Sequence, residues 1–246
     1  MRPALVQGFL DGFRNKQAAK QKARAVLKQV ENFAIVRELL PIPITIGTKA
    51  PGSKGGHTPW TDEQVEYAQS AVSPYLAKAI TLGANTGQRG SDLIRMCWNH
   101  IVDKRGRLGI KVTQLKTGLK IWVPFTRTLM TTMASWERSP GPILRKPDGL
   151  PFSNRAQLTD RWARERAHHP PLAGLVMHGL RATACVRLKR AGAEVPEISS
   201  MVGMSEVMVA RYTRFSEQEE NALAAVFRLD GEPYVPTRFT AIASED

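Results

Sequence analysis

The stretch from Gly47 to Thr58 constrains the fold more than any other, because Gly, Pro, Ser and Lys leave it almost no apolar side chain. Such a run cannot join a core and reads as a basic linker, taken as residues 47–60. It divides the chain into a short front and a long back. The front, residues 1–46, is helical in pattern. Ala18 to Leu27 is rich in Ala, Lys, Gln and Arg, all strong helix formers. Val30, Phe33, Ala34, Arg37 and Leu40 then recur at helical spacing before Pro41 and Pro43. About two helices cannot bury a sizeable core alone, so this segment is expected to belong to a larger helical unit or to lean on a partner.

Charge narrows the choice of partner. The chain of 246 residues carries 35 Lys+Arg against 22 Asp+Glu, a net +13. Residues 1–57 hold ten Lys/Arg and three Asp/Glu, so +7 of that excess (10 − 3) lies in the front and linker. A polyanion is the natural partner for such a surface, and nucleic acid is the commonest one. Lys20, Lys22, Arg24, Lys28, Lys49 and Lys54 are the expected phosphate contacts there, joined by Arg211 in the back segment. Cys97 and Cys185 have no CxxC partner and read as reduced core thiols in helix-like segments. With no signal-peptide layout and no apolar stretch of membrane length, the sequence predicts a soluble cytoplasmic protein that meets no membrane.

From Trp60 the pattern predicts a mainly α fold with one small antiparallel β-sheet. Thr61-Asp62-Glu63-Gln64 is a capping box that opens a helix. Pro74 suits the first turn of the next, which carries Leu76, Ile80 and Leu82. Ser91-Asp92 is expected to cap a third, with Leu93, Ile94, Cys97 and Trp98 as its apolar face. Leu108 to Val112 and Lys120 to Pro124 read as two strands around Lys116-Thr117-Gly118. Helices are expected over 125–138, 155–168, 178–190 and 196–202, and a second capping box at Ser216-Glu217-Gln218-Glu219 predicts a last one. The domain is expected to span residues 61–228, with a tail over 229–246.

Chemistry concentrates in three places. His178 and Arg181 are three apart and share one helix face, so they can point a proton-transfer group and a forked donor at one phosphate. Arg89 lies in a turn just before a helix, where anions are favoured, and Asp92 follows at a spacing that suits an ion pair. Lys116 at a hairpin tip can reach a leaving oxygen, and Tyr212 between Arg211 and Thr213 can form a covalent intermediate. Each piece alone is common on ordinary surfaces. Their order carries the signal.

Thr86-Gly-Gln-Arg-Gly-Ser-Asp-Leu93, Lys116-Thr-Gly118, Val123-Pro124, His178-Gly-Leu-Arg181 and Arg211-Tyr-Thr213 together resemble the catalytic part of a tyrosine recombinase of the phage-integrase family. The resemblance covers most of residues 61–228. It implies that Arg89 and Arg181 bind the non-bridging oxygens, that Tyr212 attacks phosphorus, and that Lys116 protonates the leaving oxygen. It further implies that His178 assists proton transfer and that Asp92 supports the arginines. No cofactor, metal or ATP is implied, since the bond energy stays in a 3′-phosphotyrosine. The implied partners are double-stranded DNA, three further copies in a homo-tetramer on that DNA, and an accessory directionality factor, in a bacterial or phage-borne system.

The chain departs from the family pattern at Met204, which follows Gly203 where the family usually has His or Trp. A thioether cannot donate a conventional hydrogen bond to phosphate. The interval from Met204 to Tyr212 is also one residue shorter than the common pattern. The front segment would supply only the last helices of the family's DNA clamp, as in a truncated recombinase or a late start. An impaired, DNA-binding relative therefore stays open. So does a helix-turn-helix regulator, with Ile198, Met201 and Val202 in the first helix, Gly203 in the turn and Val207 to Arg211 in the recognition helix. A type IB topoisomerase, which shares the nucleophile and arginines, is the third alternative.

Overall fold

Prolines sit at the starts of α-helices at Pro3, Pro74 and Pro196, side-chain caps at Thr61, Thr126 and Asn154 start three more, and left-handed glycines end two, at Gly87 and Gly203. The computed structural model describes residues 2–14, 16–49 and 57–231, and the chain divides into two compact units, Met1–Gly55 and Gly56–Asp246. In the first unit, helix α1 (Pro3–Asp11) starts on Pro3, and helix α2 (Gln17–Val36) follows. The periodicity at Ala18–Leu27 and the Val30, Phe33 and Ala34 positions of the second belong to this one helix, while Arg37 and Leu40 lie past its end. Glu31 is buried and accepts hydrogen bonds from the Thr45 backbone N–H and, at 2.9 Å, the Thr45 hydroxyl, which ties α2 to the chain beyond it.

The second unit is helical around a central pair. Thr61 caps α3 (Asp62–Ala71) in a full capping box with Gln64. Pro74 opens α4 (Pro74–Thr86), with Ser73 held from outside by the Glu165 carboxylate. Helix α4 is buried over most of its length, and α8 (Gly179–Arg190) crosses it with Gly179 to Val186 all buried. They approach closely because Gly83 has no side chain: a Cβ there would stand 2.9 Å from the Leu180 methyl Cδ1. Helix α7 (Arg155–Arg166) brings Trp162 to stack on Trp60, ring centroids 4.9 Å apart. Both indoles are fully buried and both N–H groups are satisfied, by the Leu175 and Val176 carbonyls at 3.0 Å. Burial of such large apolar surface is the main stabilising term for this core.

A three-stranded antiparallel sheet lies at one side: β1 (Ile101–Lys104), β2 (Arg107–Thr113) and β3 (Lys120–Pro124), in that order. The expected hairpin is there. The first strand was not expected from the sequence, because Ile101 to Lys104 is short and alternates poorly. It turns into β2 through Arg105 and Gly106, both at positive φ (56° and 75°), the geometry of a two-residue hairpin turn. Ile110, Val112 and Val123 face the core. The unit ends with α6 (Arg127–Ala134), α9 (Val195–Val202) and α10 (Glu206–Leu229) around these elements.

Two expected helix starts are corrected. Ser91-Asp92 does not cap a helix: α5 (Gly90–Leu93) is a single turn starting at Arg89 with no side-chain cap, and Cys97 and Trp98 lie beyond it. Cys97 is accordingly part-exposed outside any α-helix, whereas Cys185 is buried in α8; both are free thiols. The sequence at Ser216 starts no helix either, since α10 runs unbroken through it from Glu206. A capping-box pattern only suits a helix start; inside an established helix Glu and Gln are good formers and propagation continues. No helix among the described residues is long and apolar enough to cross a membrane.

Candidate active site

Two helices of the second unit end on left-handed glycines that meet. Helix α4 stops at Gly87 (φ 63°) and α9 at Gly203 (φ 61°). A Cβ on Gly87 would be 2.7 Å from Val202 Cγ1, and one on Gly203 would be 2.4 Å from Gln114 Nε2. Conformation and space both require glycine. The meeting leaves carbonyls at two helix C-termini, the negative ends of both dipoles, pointing into a common interior.

Arg181, in the first turn of α8, fills that interior. Its guanidinium donates to the carbonyls of Gly87, Val202 (2.9 Å) and Gly203 (3.0 Å), and the residue is only 2% exposed. Burial, with the nearby Arg89 charge, lowers it to about 10, so it stays cationic at neutral pH. The cation caps both helices at once.

Arg89 enters the same place from the N-terminal side of α5. Its Nη1 donates to Gln114 Oε1 at 2.8 Å and lies 4.0 Å from Asp92. The ion pair expected from spacing is thus at the limit of contact. The buried Asp92 carboxylate instead accepts from the Leu115 backbone N–H at 2.8 Å, fixing the start of the β2–β3 connection. Gln114 passes the link onward, donating to Gln88 Oε1 (2.9 Å) and the Val202 carbonyl (3.0 Å). Neither glutamine was singled out from sequence. Buried amides give no spacing signal; only the fold shows them joining Arg89 to the end of α9.

Arg89, Arg181 and Gly203 form one wall of a cleft of about 1220 Å³, with the two glutamines behind them. Arg89, Lys116, His178, Arg181, Met204 and Tyr212 all line it, five elements or connections apart in sequence. Lys116 is exposed on the β2–β3 connection, as its hairpin position implied. Tyr212 lies well inside α10, packed with Val209 in a small apolar cluster shared with α8 and α9, and is 8% exposed. Burial raises its phenol above the ordinary value, against the opposing charge of Arg181. His178 is the N-cap of α8 and half-buried. Burial, followed by the charges of His57 and Arg181, lowers its imidazole from 6.5 to about 4.

Two further lining residues were missed. His57 meets His178 edge to face, ring centroids 4.7 Å apart, although its sequence context reads only as linker. Arg155, the first residue of α7, adds another guanidinium. Among the described residues no acidic side chain joins this lining.

The other expected contacts stand elsewhere. Arg211 is exposed on α10. In the first unit Lys22 and Lys28 are exposed, Lys20 is paired with Asp11 at 2.7 Å, and Arg24 donates to the Thr48 hydroxyl at 3.1 Å. Lys49 is exposed and its backbone N–H donates to Gln7. Lys54 lies outside the described residues, as does the tail beyond Gly231.

A cleft of this kind, with two guanidiniums, an imidazole, an ammonium and a phenol on a mainly α scaffold, can be compared with known proteins. A family profile described as the Phage integrase family matches residues 61–219. The chain belongs to that family. It is 32% identical over 126 residues to the integrase of Enterobacteria phage 434, covering 50% of this chain and 34% of that protein. With the integrase of Escherichia phage lambda it shares 32% over 124 residues, 49% of this chain and 33% of that one. The matched stretches thus span about a third of the length of these curated relatives. Among solved structures, lambda integrase bound to DNA superposes with a TM-score of 0.72 at 20% identity, over 88% of this chain and 82% of that one. The XerH site-specific recombinase bound to palindromic difH gives 0.69 at 14%, over 93% and 73%. The fold is therefore the one these proteins share: mostly helical, with a small three-stranded antiparallel sheet.

Proposed function

We propose that this protein is a site-specific DNA recombinase that cleaves and rejoins strands through a 3′-phosphotyrosine. One observation carries the reading: Arg89 and Arg181 enter a single cleft together with His178, Lys116 and Tyr212. Two like charges held so near each other are mutually unfavourable, and an anion placed between them relieves the repulsion. A phosphodiester has the charge and the paired oxygens that forked donors recognise.

In this scheme Arg89 and Arg181 hold the non-bridging oxygens and stabilise the charge that grows on them. Tyr212 Oη attacks phosphorus; its proton passes to His178, whose imidazole is neutral at physiological pH and whose low basicity the charge of a bound phosphate would raise. The P–O5′ bond breaks as the P–Oη bond forms, and Lys116 delivers a proton to the departing 5′-oxygen. Attack by a 5′-hydroxyl on the phosphotyrosine reverses the steps and rejoins the strands. The phosphoryl bond energy is conserved throughout, so no step calls for ATP. Asp92 and Gln114 position Arg89.

The relatives support the partners. Lambda integrase has been captured as a dimer on a COC′ core site and as a tetramer on a Holliday junction. XerH has been captured with difH before and after cleavage. By extension the first unit and residues 47–60 serve as a DNA clamp and its tether, assembly on DNA is tetrameric, and a directionality factor biases the outcome. Met204 favours a second reading, a protein of this fold that binds DNA without cutting it, because the cleft lacks a hydrogen-bond donor at that position.

Trapping on nicked suicide duplexes drawn from DNA flanking the gene separates the two. A covalent adduct on a denaturing gel that vanishes in Tyr212→Phe is the expected result. Binding in a mobility shift with no adduct in the wild type would favour the second reading.

A further inference from the structure

The outer face of the sheet carries a charge pattern that the cleft does not use. The pleat places Lys104, Arg107, Lys111 and Lys120 on one side, opposite the core-facing Ile110, Val112 and Val123. All four cations are exposed. Lys104 and Arg107 are direct cross-strand partners, and Lys111 sits diagonally from Lys120 across β2 and β3. Like charges directly opposite in a sheet are destabilising. Among the described residues none of the four is within ion-pair distance of a carboxylate. Asp103 has the opposite parity and accepts from the Gly106 N–H. Asp92, the acid at the edge of this face, is buried and engaged with Leu115.

The cations frame a shaped surface. Trp122 lies across Gly109, where a Cβ would stand 2.5 Å from its Cε2, and the Lys104 ammonium lies 5.3 Å from the indole centroid. With His100 and Arg95 these groups border a cleft of about 540 Å³. The active-site cleft draws on Lys116, Thr117 and Leu119 at the hairpin end, whereas this one takes Lys104, Lys111, Lys120 and Trp122 from the strands; Ile121 borders both.

We propose that this outer face is a second duplex-DNA surface, gripping the phosphate backbone of a segment other than the one held in the active-site cleft. It rests on the reading that DNA is this protein's partner. Repeated cations without compensating acids match a polyanion of regular charge, and an engaged backbone would remove the cross-strand repulsion.

Lysine acylation of the full chain, read by mass spectrometry with and without an arbitrary duplex, tests both surfaces separately. Lys116 reports the active-site cleft; Lys104, Lys111 and Lys120 report the sheet. Several-fold slower acylation of the three sheet lysines, with the sheet protected at higher duplex excess than Lys116, is expected. Sheet protection without Lys116 protection would uphold this surface and count against the cleft. Protection of Lys116 alone overturns the proposal and leaves the recombinase reading standing; protection of neither overturns both. Equal protection by polyglutamate overturns it in favour of an acidic protein partner. As a second measurement, Gln at all four positions (K104Q, R107Q, K111Q, K120Q) should lower the slope of log K against log salt by about 3.6, at about 0.9 per phosphate contact. An unchanged slope in the folded variant would count against it.

Discussion

Arg181 serves the fold, and in the proposed mechanism it serves the substrate as well. It satisfies three carbonyls at the ends of α4 and α9, and it presents a permanent charge to the cleft. Arg181→Ala is therefore expected to lower stability by about 1–3 kcal/mol, from buried acceptors left unmade, and cleavage by about 100- to 1000-fold. Urea denaturation and adduct-forming rates separate the two losses; a variant that is unstable yet cleaves normally would confine Arg181 to structure. His178 gives a pH test. Its folded value of about 4 lies below the unfolded 6.5, so the unfolded chain binds the proton more readily. Its stabilising contribution is whole above 6.5 and is lost as pH falls through that window toward 4. The ring resonance should titrate near 4, and His178→Gln should flatten the fall of the urea midpoint over the same range. A midpoint near 6.5 would show a solvated ring.

At the scale of elements, the junction of α4 and α9 is the most exacting feature. Gly203→Ala must adopt a left-handed backbone and push Gln114 aside, with an expected cost of about 1–3 kcal/mol and a fall in cleavage, because Gln114 holds Arg89. An alanine at exposed Gly118, also at positive φ (70°) but with open space around it, should cost less. Equal losses at the two glycines would mean that only backbone conformation matters. Helix α10 illustrates the limit of local signals. Its start at Glu206 places Tyr212 inside a helix whose buried side is shared with α8 and α9, so the proposed nucleophile sits on a packed element.

At the scale of the whole molecule, the large apolar clusters belong to the second unit, whereas the first buries little beyond Val6 and Leu10. A chain beginning at Gly56 is expected to keep a cooperative thermal transition. It should bind arbitrary duplex more weakly and with a shallower salt slope than the full chain, since ten of the 35 Lys+Arg lie before His57 and counterion release scales with phosphate contacts. Loss of the transition would show that the second unit needs the first.

The sequence by itself determined the class of fold, the helix starts at Thr61 and Pro74, the β2–β3 hairpin and the order of charged groups, because caps, turns and periodicity are local and leave local marks. Family membership was readable for the same reason: Arg89, Lys116, His178, Arg181 and Tyr212 keep recognisable neighbours. What the tertiary structure alone decided is how those groups stand. The Arg89–Asp92 pair suggested by spacing stands at 4.0 Å while Gln114 takes the hydrogen bond, and a four-residue α5 replaced the helix that Ser91 was expected to cap. His57, Arg155, Gln88 and Gln114 join the site through contacts spanning much of the chain, and β1 exists because β2 is there to pair with it. Such contacts depend on which helix ends meet, and that is settled by packing among Gly83, Gly87, Gly203 and their neighbours rather than by any stretch of sequence alone.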